Sequence, residues 1–183
     1  MKSSAAYKRR HQDGLARSPA GMRGVRKPLR KTCVIACGGA MAADALIDTG
    51  AILALLHRTD RWHEVCVDSF RQLRLPVVTS EAVLTELFHL VGDSRHEMET
   101  AWKFVRSGAI RLATVEDSEL PEIQALMSRY WDRPMDFADA TLVHLANRER
   151  ISTVFTIDHR DFQTYRMDGG RRFRVLPPPP VSS

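Results

Sequence analysis

The sequence lacks the features that mark several large functional classes. No apolar run approaches the roughly 20 residues that a membrane span needs, so no membrane association and a cytoplasmic location are expected. Only three cysteines occur, Cys33, Cys37 and Cys66. An odd number with no matching downstream pair has neither zinc-site spacing nor the look of a disulfide framework, and it argues for a reducing compartment. There is no GxxxxGK[ST] loop and no GxGxxG turn, so a Gly-rich nucleotide cradle is unsupported. No HExxH occurs, the histidines have no zinc spacing, and no GxSxG marks a serine hydrolase. After residue 40 there is one lysine, Lys103. That counts against aspartate-rich α/β sites that need a late lysine, such as receiver domains and haloacid-dehalogenase-like phosphatases.

What is present is divided unevenly. The net charge of +5 conceals a segment, residues 1–40, with ten Lys or Arg and one acid, Asp13. The remainder, 41–183, has 17 basic and 21 acidic residues. Rich in Gly, Ser and Pro and without periodicity, residues 1–40 read as a disordered basic extension. A lipoprotein signal ending in "VIAC" (34–37) is disfavoured, because the uncharged run before Cys37 is five residues against about 7–15 in a signal peptide. Two readings stay open: an upstream-start artefact with translation beginning at Met41, or an arm that contacts nucleic acid by counterion release.

From Met41 helix-like and strand-like segments alternate. "ALI" (45–47) reads as a short buried strand followed by a helix, "AILALLHR". Residues 61–73 are amphipathic, and "PVVT" (76–79) is a strand. Ser80 then N-caps the helix "EAVLTELFHLV", which ends near Gly92. A helix over 95–107 stops at Gly108, and 109–115 alternates as a strand. Helices follow over 118–130, with Pro121 in the first turn, and over 136–148. "ISTVFTID" (151–158) is the clearest buried strand. A short helix is expected at 162–166 and a last strand at 172–176, before the Pro run 177–180. The expected organisation is one α/β domain, 41–177, with a Pro-rich tail, 178–183. Its fold class is a three-layer α/β/α sandwich around a central parallel sheet, with no internal repeat.

Five acids then stand out. Asp48 and Asp158 end strands, and ligands in open parallel sheets bind outside the carboxyl ends of the strands. Each also reads as a helix N-cap. Glu86 lies among Val83, Leu84, Leu87 and Leu90, in a helix expected to be mostly buried, where a carboxylate must be paired, neutral or bound to metal. Glu81, at the same helix's start, reads as a surface charge favoured by the dipole. Asp136 and Asp139 lie about 60° apart on an otherwise apolar helix, and Asn147 about 20° from Asp136, so the polar residues form a narrow stripe. A solvated edge is the plainer account of that stripe. Collecting such acids in one cleft raises their pKa values, and a hard cation with oxygen ligands, Mg²⁺ or Mn²⁺, offsets the repulsion.

In this order "LIDTGAILALL", "VLTELFHLV", "DFADATLVHLA" and "VFTIDHRDF" resemble the four signature segments of PIN domains, over about residues 43–176. The resemblance implies a Mg²⁺- or Mn²⁺-dependent endoribonuclease acting on RNA, leaving a 5′-phosphate and a 3′-hydroxyl. By motif, Asp48, Glu86, Asp139 and Asp158 match the family's four acids as catalytic residues and metal ligands. Asp136 matches an auxiliary ligand, and Thr49 and Thr156 match hydroxyls beside the metal, although capping and packing explain both threonines without it. The resemblance further implies a homodimer and, for the VapC-type toxins, a small antitoxin partner that places a basic side chain among the acids. His63 reads as a core-edge histidine. Arg58, Arg61, Arg133, Arg160 and Arg166 lie near motif ends and are candidates for attracting RNA. Two alternatives remain open: a free-standing nuclease or nucleic-acid-binding module without toxin role, and a metal-dependent phosphatase or DNA nuclease on the same ligands.

Overall fold

The computed structural model describes residues 43–133 and 135–179. The expected basic segment 1–40 lies outside these residues, as do 180–183 of the expected tail. Five strands, β1 (Leu46–Ile47), β2 (Val77–Thr79), β3 (Ile110–Leu112), β4 (Thr153–Phe155) and β5 (Arg174–Leu176), form one sheet in the order β3-β2-β1-β4-β5. Every pairing is parallel, with Leu46 opposite both Val78 and Val154, and Ile47 opposite Phe155. All residues of β1, β2 and β4 are buried. Successive strand side chains point to opposite faces, so both faces of the sheet are covered, as a parallel sheet requires. The edge strands expose Arg111 and Arg174, charges that discourage edge-to-edge pairing.

Seven helices make up the covering layers: α1 (Thr49–Leu56), α2 (His63–Phe70), α3 (Glu81–Val91), α4 (Arg95–Val105), α5 (Leu120–Arg129), α6 (Phe137–Glu149) and α7 (His159–Phe162). Their starts follow from local chemistry. Ser80 Oγ accepts from Val83 N at 3.3 Å and Ser94 Oγ from Glu97 N at 3.3 Å, supplying partners for first-turn N–H groups. Pro121 occupies the first turn of α5, where no N–H is needed. Helix α6 ends in a left-handed residue, Arg150, at φ 58°. It is buried around most of its circumference, from Ala138 to Ala146.

Two expectations need correction. The short helix lies at 159–162 rather than 162–166, because Asp158 caps it at once. Helix α3 is buried along a single stripe of Val83, Leu87 and Val91, with Leu84 and Leu90 only half-buried. Cys66 is a free, buried thiol whose pKa burial pushes up to about 12, so it is an inert packing residue. Among the described residues no helix is long and apolar enough to cross a membrane.

Candidate active site

The strand order reverses direction at β1: the chain runs outward from β1 to β3, then returns to β4 and β5. Such a reversal opens a crevice at the carboxyl ends of the two strands where it occurs. Asp48 follows β1 and Asp158 lies three residues beyond β4, so both acids stand at that crevice. The Asp48 amide donates to Phe155 O at 3.0 Å, which ties the end of β1 to β4. Gly50 permits the next approach. A Cβ there would stand 2.8 Å from Ile157 Cγ1, closer than real contacts allow.

Asp48 is nearly buried, with 9% of its surface exposed. Its Oδ1 accepts from Thr49 N at 2.6 Å, and its Oδ2 accepts from the Thr156 hydroxyl at 2.8 Å. Thr156 Oγ1 in turn accepts from Asp158 N at 2.9 Å, linking the first acid to the fourth. The Thr49 hydroxyl donates to Glu86 Oε2 at 3.0 Å, joining α1 to α3. Asp136 Oδ1 accepts from Asp139 N at 2.8 Å, and Asp158 Oδ1 from Asp161 N at 3.4 Å. Asp48, Asp136 and Asp158 are therefore N-caps of α1, α6 and α7, and all three also belong to the group described next. The capping and clustering readings of the sequence are compatible, because a cap turns its carboxylate toward the helix N-terminus and these helices begin at the crevice.

The electrostatics show that the acids share one space. Burial first, and the Glu86 carboxylate second, push Asp48 up to about 7 against the pull of the Thr156 hydroxyl. Burial, then Asp136 and Asp48, hold Asp139 well above the usual carboxylate range. Burial also raises Glu86, with Asp136 adding to it and the Thr49 hydroxyl opposing. Asp136 thus bears on Asp48, Glu86 and Asp139, and also on Asp161. The sequence made it an auxiliary residue; in the structure it stands among the others.

Asp161 and Tyr165 were missed. Burial, then Asp158, raises the Asp161 carboxyl, while Arg133 and Arg160 oppose. The Tyr165 hydroxyl donates to Asp139 Oδ2 at 3.1 Å. Asp161 had a signal in hindsight, one helical turn after the cap residue Asp158. Tyr165 had none.

Other candidates lie elsewhere. Asn147, at the far end of α6, exchanges hydrogen bonds with Asp168, so the polar stripe divides between two tasks. The His63 imidazole is half-buried, with Nδ1 2.8 Å from Ala54 O. Arg58 is exposed, and Arg61 lies over the Trp62 ring at 5.6 Å. Arg166 is turned onto the backbone carbonyls of Gln163, Thr164 and Tyr165 at 2.8 Å each. Arg133 donates to Thr164 Oγ1 at 2.6 Å. Of the crevice acids, Asp161 feels the charges of Arg133 and Arg160.

Among the described residues no three Asp, Glu, His or Cys are drawn up as a ready ligand cage. The carboxylates instead face one another at electrostatic range, each held from behind. The donor set is nonetheless all oxygen and crowded, which fits a hard divalent ion and not a thiophilic one.

Comparison with known proteins agrees with this geometry. Ribonuclease VapC26 of Mycobacterium tuberculosis (strain ATCC 25618 / H37Rv) is 33% identical over 138 residues, which span 72% of this chain and 99% of that protein. The crystal structure of Mycobacterium tuberculosis VapC20, a sarcin–ricin loop cleaving toxin, superposes with a TM-score of 0.58 at 21% identity. That match covers 63% of this chain and 90% of the other, and at such identity it speaks for the fold. A model of the PIN domain matches residues 45–167, a span that holds β1 through α7 and every acid of the crevice, and on that match the chain belongs to the PIN-domain family.

Proposed function

We propose that this protein is a divalent-metal-dependent endoribonuclease and the toxin of a type II toxin–antitoxin pair. The observation that carries the chemistry is the crevice itself. Asp48 and Asp139 are pushed well above their ordinary pKa values by burial and by neighbouring acids. The partners that Asp48, Glu86 and Asp139 have are hydroxyls and backbone N–H groups. Groups so placed gain most from a cation supplied by solution. The likeness to VapC26 supports RNA as the substrate and the toxin role.

Asp48, Glu86, Asp139 and Asp158 would hold Mg²⁺ or Mn²⁺, with Asp136 beside them. When bound, such an ion supplies a lowered water pKa and stabilises charge developing on a phosphodiester. The chain's own groups do the rest. Thr156 and the Thr49 amide fix both oxygens of Asp48, so that carboxylate is oriented before any ligand arrives. The charges of Arg133 and Arg160, which act on Asp161, support these two as the arginines that would meet an RNA phosphate. The negative body otherwise repels nucleic acid, so attraction must be local.

A small antitoxin with a basic side chain for the crevice, a homodimer and a cytoplasmic location complete the reading. The test is cleavage of RNA by the Asp48→Asn variant in saturating Mn²⁺. Cleavage should fall by more than the roughly 100-fold typical of losing an outer-shell partner, and growth arrest on expression should disappear with it. Arrest that persists in this variant would sink the nuclease account of toxicity.

A further inference from the structure

We infer that Tyr165 is a positioning residue for Asp139, fixing that carboxylate for the metal and so completing a set of hydroxyls behind the acids. The inference rests on the metal-site reading above and concerns a residue outside the four motif acids.

Of the acids that match the family's motifs, Asp48, Glu86 and Asp139 have their pKa values raised chiefly by burial. Each has one oxygen engaged by a hydroxyl from another element. Thr156 serves Asp48 at 2.8 Å, Thr49 serves Glu86 at 3.0 Å, and Tyr165 serves Asp139 at 3.1 Å. The first two donors lie beside motif acids in sequence. The third is 26 residues from its acid and reaches it only through the fold.

The tyrosine ring cannot swing away. It has no exposed surface. It meets the Tyr130 ring edge-on at 5.1 Å and the Phe162 ring at 5.4 Å, and Phe162 is backed by Phe173 at 5.6 Å. Its amide donates to Asp161 O at 2.9 Å, while Tyr130 is pinned by accepting from Arg166 N at 2.9 Å. Packing alone would be served by phenylalanine, which fills positions 162 and 173 of the same aromatic cluster. The hydroxyl adds a buried polar group that needs a partner, and the partner is a crevice acid. With Oδ2 of Asp139 held, its Oδ1 is the oxygen left to a ligand. Burial pushes the phenol above its ordinary pKa, so it stays a donor at any working pH.

Tyr165→Phe keeps the ring and removes only this donor. Calorimetric titration of the full chain with MnCl₂ should show about tenfold weaker binding than in the wild type, within the range for outer-shell partners. At saturating Mn²⁺, kcat on RNA should fall while KM changes little. In an Asp139→Asn background the same substitution should have no further effect on Mn²⁺ affinity, because the tyrosine acts through that acid. Wild-type affinity in Tyr165→Phe, or an undiminished effect in the Asp139→Asn background, overturns the inference and leaves the metal site standing. Absence of Mn²⁺ binding by the wild type overturns both.

Discussion

Glu119 and Asp48 both belong to crowded groups of charge, and the structure drives them in opposite directions. Glu119 is held down to about 2, first by the Glu116 amide and then by His144 and Arg148. Asp48 is pushed up to about 7 by burial and by Glu86. The first group stitches the turn before α5 to α6. Arg148 Nη1 donates to Glu119 Oε1 at 3.0 Å and Oε2 at 2.9 Å, His144 lies 3.0 Å from Glu119 and 3.2 Å from Glu122, and Arg111 pairs with Glu149. Its acids come with their own cations and donors, so the cluster is finished by folding alone. Among the described residues, the crevice acids accept from hydroxyls and amides, and Arg133 and Arg160 act on Asp161. A carboxylate cluster that serves stability is neutralised from within. One whose acids raise one another is kept for something that arrives.

That contrast can be attacked from both sides. The largest effect should appear in the pH dependence of metal-free stability. A folded pKa near 7 for Asp48 against about 4 when unfolded means that folding takes up a proton. The stability is therefore full below pH 4 and is lost as pH rises through 7. The Glu86 carboxylate shares in that loss, because it adds to the rise of Asp48. Thermal melts without metal should thus show a higher Tm at pH 5 than at pH 8, and MnCl₂ should raise Tm mainly at pH 8. Equal Tm at both pH values, without metal, would remove the crowding on which the site reading depends.

A smaller effect is expected from Glu119→Gln. Loss of its charge-assisted bonds should cost about 1 kcal/mol, reduced by its partial exposure, and leave Mn²⁺ affinity unchanged. Its pH signature has the opposite sign, since a depressed acid contributes stability above its unfolded value that disappears as pH falls toward 2. If the variant also lost metal, the two clusters would not be independent. Gly50→Ala should have a net effect of comparable size. The new Cβ meets Ile157 at 2.8 Å, an overpacking cost of about 1–3 kcal/mol partly offset by the roughly 0.5–1 kcal/mol gained over glycine in a helix. Mn²⁺ affinity should drop with it, and Ile157→Val should restore part of both. A fully stable Gly50→Ala would mean that the crevice walls tolerate separation.

Much of the architecture could be read before the structure, because alternation of buried strands with amphipathic helices is a local signal. Asp48 was legible for the same reason, as a carboxylate at the end of a buried strand; Asp158 was legible next to one, although β4 ends three residues before it. Thr49 and Thr156 were legible as candidates through the motifs, though their bonds to Glu86 and Asp48 were not, since capping explained them equally well. Tyr165 was beyond reach. "QTYRM" has no periodicity, and the tyrosine meets Asp139 only after α6 and the segment following α7 have packed. The displaced α7 shows the same limit on a smaller scale. Whether Asp158 starts a helix immediately or leaves a loop is decided by the amide of Asp161 meeting its carboxylate.

The hydroxyl bond from Thr156 to Asp48 spans 108 residues, and it has a consequence for synthesis. Strand β1 lies at the centre of the sheet, yet one of its two neighbours, β4, is translated after α6. Before β4 is made, β1 can pair with β2 and Asp48 can cap α1, but the second oxygen of Asp48 has no Thr156 to hold it and Asp158 is not yet present. Contacts of such long range are also the slow ones in folding. The crevice is consequently incomplete until almost the whole domain has emerged, because it is assembled from the first strand and nearly the last.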